Sequence, residues 1–372
     1  MDPSRTLNEL KHYVTQFFKR PTPLVLIGTG PSCAIDPAFG MNALAEHLLN
    51  CFNNSSQLTE TQKLEWSRVE KSLKENRGLE SALDCIDDTD LIEKITIEAG
   101  NYVAKTDHSA STMVLSGEID WKPFHLLKKM VETLPESPDD ERILHIITPN
   151  YDMLLEYACA NGDICYINGY SGGVHKRSNW GRANCSIRTK MVAPRSKKTS
   201  LRITGKDCPC DKHIRLYKVH GSLNLFNYKN KIVECDLWTH NIPAFAKRVV
   251  IAPGKNKHEI INQYRRELQF EADNAVDNAE KFLFIGFGFN DSHIEEYIRR
   301  KLLAGKSGLI VTRDWNERIQ SLLNGARNVK LICMSRNTGN DTEIHSYGKT
   351  VPDLILEKSL WDVNEFYQYF FT

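Results

Sequence analysis

The stretch "RILHIITPNYDMLLEY" spans residues 142–157 and carries the reading of the fold. An apolar run closes in Thr148-Pro149-Asn150-Tyr151-Asp152, and a helical pattern over 150–161 begins at once. Continuous apolar runs bounded by turn residues suit strands of a parallel sheet that is covered on both faces. An amide and a carboxylate two residues apart then stand at the lip of a buried strand. Such a pair can start the helix, or it can touch a ligand.

The same kind of run recurs at 23–28, 248–253, 281–287, 308–312 and 329–334. Helical patterns lie between several of the runs, at 257–280, 290–304 and 314–323, and another precedes them at 7–19. This alternation predicts an α/β fold: a doubly wound, Rossmann-like, mostly parallel sheet with helices on both faces. Two stretches break the pattern. Residues 41–140 read as a helical insertion or subdomain. Residues 171–215 are rich in Gly, Ser, Lys and Arg and read as a basic loop or small module. The expected organisation is one domain over 1–372. Its core is about 20–40 and 141–335, and 336–372 is a C-terminal extension.

Composition narrows the function classes. A formal net charge of +1 gives no global field towards nucleic acid or membrane. Hydrophobic content of 41% and charged content of 26% are ordinary for a globular chain. The ten cysteines are scattered and do not read as a disulfide framework. The first twenty residues lack the apolar core of a signal peptide, and no run approaches the roughly 18 apolar residues of a membrane helix. The expectation is a cytoplasmic protein with reduced thiols. The basic stretch 174–218 is a candidate contact for nucleic acid. It carries no aromatic ladder beyond Trp180, so a solvated loop is favoured over direct nucleic-acid binding.

Polar clusters stand at the ends of the apolar runs. "LVLIGTGPSCAID" places Gly28, Thr29, Gly30 and Ser32 directly after the first. Glycines there let backbone N–H groups approach phosphate oxygens, or they simply make a tight turn. The fingerprint of a dinucleotide site is incomplete, because Cys33 holds the place of the third glycine. "LYKVHGSLNLF" (216–226) reads as a second strand ending in polar groups, His220, Gly221 and Ser222. A histidine there can act as a general base or cap a strand. "FIGFGFNDSHI" (284–294) ends a third strand with Gly286, Gly288, Asn290 and Asp291, and either of the last two can be a helix N-cap. "AGKSG" (304–308) imitates a P-loop tail but lacks the preceding strand and first glycine, so a P-loop ATPase is rejected. In a parallel sheet, carboxyl ends share one edge, and these clusters can line one cleft.

Taken in order, "GTGPS", "TPNYD", "KVHGS" and "GFGFND" resemble the sirtuin superfamily, and most of all the sirtuin-like NADases of bacterial antiphage defence. The resemblance covers roughly residues 23–313. It implies that Gly28, Thr29, Gly30 and Ser32 contact NAD phosphates and ribose. By the same resemblance, Asn150 holds the nicotinamide ribose or orders the attacking water, and Asp152 lines the nicotinamide pocket. His220 would be the general base, Ser222 would help to bind NAD, and Gly286, Gly288 and Asp291 would meet the far phosphate and ribose. The implied activity is NAD glycohydrolysis to nicotinamide and ADP-ribose, with NAD as substrate. Group members often form homo-oligomers, and some act beside a HerA-type ATPase.

The departures bear on chemistry. Zinc-containing sirtuins carry paired Cys-x-x-Cys hooks after the catalytic histidine. Here Cys208 and Cys210 precede His220 with one residue between them, so no metal is predicted. The sequence after 248–254 has no match to an acyl-lysine groove, which disfavours deacylation. Other readings are a non-catalytic NAD or ADP-ribose sensor, and a protein deacylase or ADP-ribosyltransferase.

Overall fold

The computed structural model describes residues 3–53, 55–75, 77–138, 141–188, 210–250, 266–289, 292–349 and 351–372. Its strands are β1 (Leu24–Ile27), β2 (Ile143–Thr148), β3 (Tyr166–Ile167), β4 (Tyr170–Gly172), β5 (Lys176–Ser178), β6 (His213–Lys218) and β7 (Gly221–Tyr228). They continue as β8 (Lys231–Glu234), β9 (Lys247–Val250), β10 (Lys281–Ile285), β11 (Ser307–Thr312), β12 (Val329–Met334), β13 (Thr342–Ser346) and β14 (Leu354–Leu356).

Nine strands form one sheet in the order β14-β13-β12-β11-β10-β1-β2-β6-β3. Neighbours from β12 to β3 run parallel, while β13 and β14 add an antiparallel edge. The apolar runs make this sheet because they are buried on both faces: every residue of β1 is buried. The chain starts at β1 and builds outwards through β2 and β6. It then returns to the other flank of β1 and builds through β10, β11 and β12. The direction of winding therefore changes between β1 and β10. A crevice opens outside the carboxyl ends of strands at such a point.

Two expected strands are placed differently. The run at 248–253 was expected in the parallel sheet. Its described part, in β9, pairs antiparallel with β7 in a second sheet of order β4-β5-β8-β7-β9. Only Val250 of β9 is fully buried, so the strand has one wet face, as an antiparallel edge allows. Residues 251–253 lie outside the described residues. The run at 216–226 is not one strand. It leaves the large sheet at Lys218, turns at Val219-His220, and enters the second sheet at Gly221. Gly221 has φ +101, a backbone that L side chains rarely adopt, and this permits the change of sheet.

Between β1 and β2 the helices Met41–Phe52, Glu60–Lys74, Leu79–Leu83, Thr89–Leu115 and Pro123–Glu132 follow one another. The first four share an apolar core around Leu48, Val69 and Leu91. Thr59 and Gln62 form a capping box on the second helix, and the Gln62 amide also bonds Asp88 and Asp90 at the start of the fourth. The C-terminal helix Val363–Phe371 packs its aromatic face inwards. Phe366 is fully buried, and Phe371 meets Phe18 edge-on at 4.9 Å. Among the described residues, no helix is long and apolar enough to cross a membrane.

The polar groups of the large sheet include one with a consequence for acid stability. His145 of β2 lies stacked on Tyr217 of β6, with its Nδ1 2.9 Å from the phenol oxygen. Burial pushes its pKa from 6.5 down to about 3. Between those values the unfolded chain binds a proton that the folded chain refuses. This stability is fully present above pH 6.5 and is lost as pH falls towards 3. His213, lowered by burial to about 4, acts in the same sense. His145→Gln is expected to flatten, in part, the fall of the urea midpoint from pH 6.5 to about 4. An unchanged slope would contradict the burial argument.

Candidate active site

The site is built on the carboxyl ends of β1, β2, β6 and β10. The β1 and β10 ends are locked through their glycines. Gly28 N–H donates to the Ile285 carbonyl at 3.0 Å, and Gly30 N–H to the Gly286 carbonyl at 3.3 Å. A Cβ on Gly28 would lie 2.3 Å from the Gly286 oxygen, and one on Gly30 2.8 Å from Gly286 Cα. Gly286 itself has φ +55. The glycines thus serve backbone-to-backbone approach first, and two N–H groups that a phosphate would need are already engaged. Thr29 precedes the short helix Gly30–Cys33, and its carbonyl accepts from Cys33 N–H.

The β2 lip closes on that turn. Thr148 Oγ1 donates to the Ile27 carbonyl at 2.8 Å and accepts the Asn150 N–H at 3.1 Å. Asn150 Nδ2 then donates to the Gly28 carbonyl at 2.9 Å and lies 3.4 Å from Ser32 Oγ. Ser32 Oγ donates to Asp152 Oδ2 at 2.9 Å. All three side chains are buried. Asn150 Oδ1 meets no hydrogen-bond donor among the described residues, although it too is buried. Its amide is therefore oriented by its donor end, with the acceptor end left over.

Beneath the lip lies a cation. Lys218, the last residue of β6, is 5% exposed. Its ammonium donates to the carbonyls of Tyr151 and Asp152, to Ser222 Oγ at 3.2 Å and to Glu156 Oε1 at 2.6 Å. Burial pushes the Glu156 carboxyl up to about 7 against the pull of Lys218. Burial also raises the Asp152 carboxyl; Lys218 lowers it and Asp107 raises it further.

Asp107 comes from the long helix of the insertion and is fully buried. It accepts Met153 N–H at 2.8 Å and the Tyr157 hydroxyl at 2.7 Å, and pairs with His240 Nε2 at 2.8 Å. The insertion thus grips the residue that follows Asp152.

Gly28, Ser32, Asn150 and Asp152 are joined by hydrogen bonds, and Gly28, Gly30 and Gly286 by close packing. His220 is buried at the corner between the two sheets, two residues beyond Lys218. Ser222 is taken up by the network below the lip: it receives the Lys218 ammonium and donates to Met153 Sδ at 3.3 Å. The Gly288 carbonyl accepts from Asn316 Nδ2 at 2.6 Å. Asp291 lies outside the described residues. Of the basic stretch 174–218, Lys176 pairs with Glu234 and Asp236, and Lys212 with Glu136; residues 189–209 lie outside the described residues. The Gly-Lys-Ser of 305–307 is a helix-to-strand turn, the reverse of a P-loop's order.

Sequence reasoning missed Thr148, Lys218, Glu156 and Asp107. Asp107 had a readable signal. It sits on a helical stripe with Val103, Ala104, Ala110, Ser111 and Val114, where a carboxylate needs a buried partner. Arg313, just after β11, was also passed over; its charge opposes the upward push that burial exerts on the Cys33 thiol.

Residues 144–326 match the family model described as a SIR2-like domain. This match supports a sirtuin-like family and, broadly, an NAD-related function. It begins within β2, so it takes in "TPNYD", "KVHGS" and "GFGFND" but leaves out β1 and its glycine turn. The glycine turn is tied to the matched region by the bonds of Asn150 to the Gly28 carbonyl and to Ser32 just described. A search of curated proteins finds no match for this chain.

Proposed function

We propose that the protein is an NAD glycohydrolase that breaks the bond between nicotinamide and ribose. The observation that carries this reading is the Asn150 carboxamide, fixed at the switch point of the sheet with a buried acceptor to spare. An unmet buried acceptor costs about 1–3 kcal/mol, which is tolerable where a ligand or water supplies the donor. A ribose hydroxyl or the attacking water is such a donor. An amide suits the task because it orients a hydroxyl without titrating.

In the reaction, the bond between C1′ of ribose and the pyridinium nitrogen breaks, and its electron pair leaves with nicotinamide. The water oxygen bonds to C1′ and releases one proton. His220 is the residue of this chain suited to receive that proton. Asn150 positions the water or the ribose, Ser32 holds Asp152 in place, and the glycine lock keeps the β1 turn against β10. Buried groups held in this way need little rearrangement as charge develops. The resemblance to antiphage NADases extends the proposal: the protein acts as a defence effector that depletes NAD, as a homo-oligomer, with a HerA-type ATPase as a fitting partner.

Hydrolysis in 18O-water tests the reaction. One labelled oxygen at C1′ of the ADP-ribose product is expected, with nicotinamide unlabelled. Nicotinamide release that requires an added acyl-peptide, with transfer of the acyl group, would overturn the reading in favour of deacylation.

A further inference from the structure

The helical insertion brings together three metal-ligating side chains of different kinds. His47 and Cys51 lie one turn apart on the helix Met41–Phe52, so they share a face. Glu98 reaches them from the helix Thr89–Leu115. One atom of each converges on the same point. Cys51 Sγ is 3.5 Å from His47 Nε2 and 4.0 Å from Glu98 Oε2, and His47 Nε2 is 3.7 Å from that same Glu98 Oε2.

Those lengths are informative. A direct N–H···O hydrogen bond is about 2.7–3.2 Å long, and the His47–Glu98 separation exceeds it. Two ligands on one tetrahedral zinc stand about 3.4–3.6 Å apart, from Zn–S near 2.3 Å and Zn–N or Zn–O near 2.1 Å. The triangle therefore closes on an ion with a movement of about 0.4 Å or less along its longest edge. The imidazole is already held, because its ring stacks on Tyr102 at 4.4 Å between centroids. A second cluster, Cys333, Glu343 and His345, is fully buried, but there Glu343 already accepts from Ser335 at 2.8 Å. It reads as a satisfied core network.

We propose that His47, Cys51 and Glu98 form a zinc site. A thiolate, an imidazole and a carboxylate together favour a borderline-soft divalent ion over calcium or magnesium, which take oxygen ligands. Side-chain exposures of 30% for His47 and 38% for Glu98 leave the fourth position open to water. The ion would tie the first helix of the insertion to the long helix whose Asp107 grips the β2 lip. Paired Cys-x-x-Cys hooks cannot reveal such a site, since the third ligand is remote in sequence.

The full-length protein, stripped with chelator, is titrated with cobalt(II) alone, and the near-ultraviolet thiolate-to-cobalt band is followed. One equivalent is expected to produce the band, and zinc to abolish it by displacement. Cys51→Ser should lose the band and His47→Ala should weaken binding at least tenfold. Cys210→Ser and Cys333→Ser should leave it unchanged. Circular dichroism of each apo variant checks that it is folded. No band with the wild type would overturn the proposal, as would a band that survives Cys51→Ser.

Discussion

Asn150→Ala is expected to lower NAD turnover by at least 10²–10³-fold, the usual scale for removing one positioned polar group from a reacting centre. The loss should fall on kcat, with NAD binding changed only several-fold, because the amide acts on the water or ribose and not on the whole dinucleotide. The fold should survive at a modest cost. The variant loses the Nδ2 bond to the Gly28 carbonyl and leaves that carbonyl unmet, which costs about 1–3 kcal/mol. Asn150→Asp is the sharper variant. It keeps the shape but sets a second carboxylate near Asp152 and removes the donor that holds the β1 turn. Steady-state kinetics beside urea unfolding separates the two effects. A variant that is folded and turns over NAD within about threefold of wild type would show that Asn150 only caps the lip.

Lys218→Ala is expected to cost about 3–5 kcal/mol of stability, the scale for removing one partner of a buried ion pair. Glu156 would lose the cation that holds its carboxyl down and would stand as a buried, protonated acid, and the carbonyls of Tyr151 and Asp152 would lose their donor. The double variant Lys218→Met with Glu156→Leu should recover much of that loss, because two apolar groups replace two desolvated charges. Recovery should stop short of wild type, since the lip carbonyls stay unmet. The coupling between the two positions, read from a double-mutant cycle in urea, should exceed about 1 kcal/mol. A Lys218→Ala variant within about 1 kcal/mol of wild type would show that the ammonium is not the post on which the lip rests.

These two residues show what a sequence does and does not disclose. Asn150 was legible because an apolar run ended on it and a helix began after it. The large parallel sheet was legible for the same reason: strands covered on both faces need no polar alternation. Lys218 was hidden because its meaning comes from the turn at Gly221, which carries the chain out of one sheet and into another. The run 216–226 looked like one strand, and only a positive φ at Gly221 divides it. The glycines after β1 read either as a phosphate cradle or as a tight turn, and the structure adds a contact that neither reading named: Gly28 and Gly30 meet the backbone of Gly286, after β10. The helical stripe marks Asp107 as buried, but its partners Met153, Tyr157 and His240 lie far away in the chain, and no local spacing names them. The edge strand β9 was misplaced because a run as short as 248–253 does not reveal a wet face.

The most direct test of the account is a time course of NAD incubated with the purified wild-type protein, the products being separated by chromatography. The account predicts nicotinamide and ADP-ribose appearing together, in equal amounts, as NAD disappears. NAD that binds and is recovered intact, in the presence and absence of candidate partners, would contradict it and make the site a sensor.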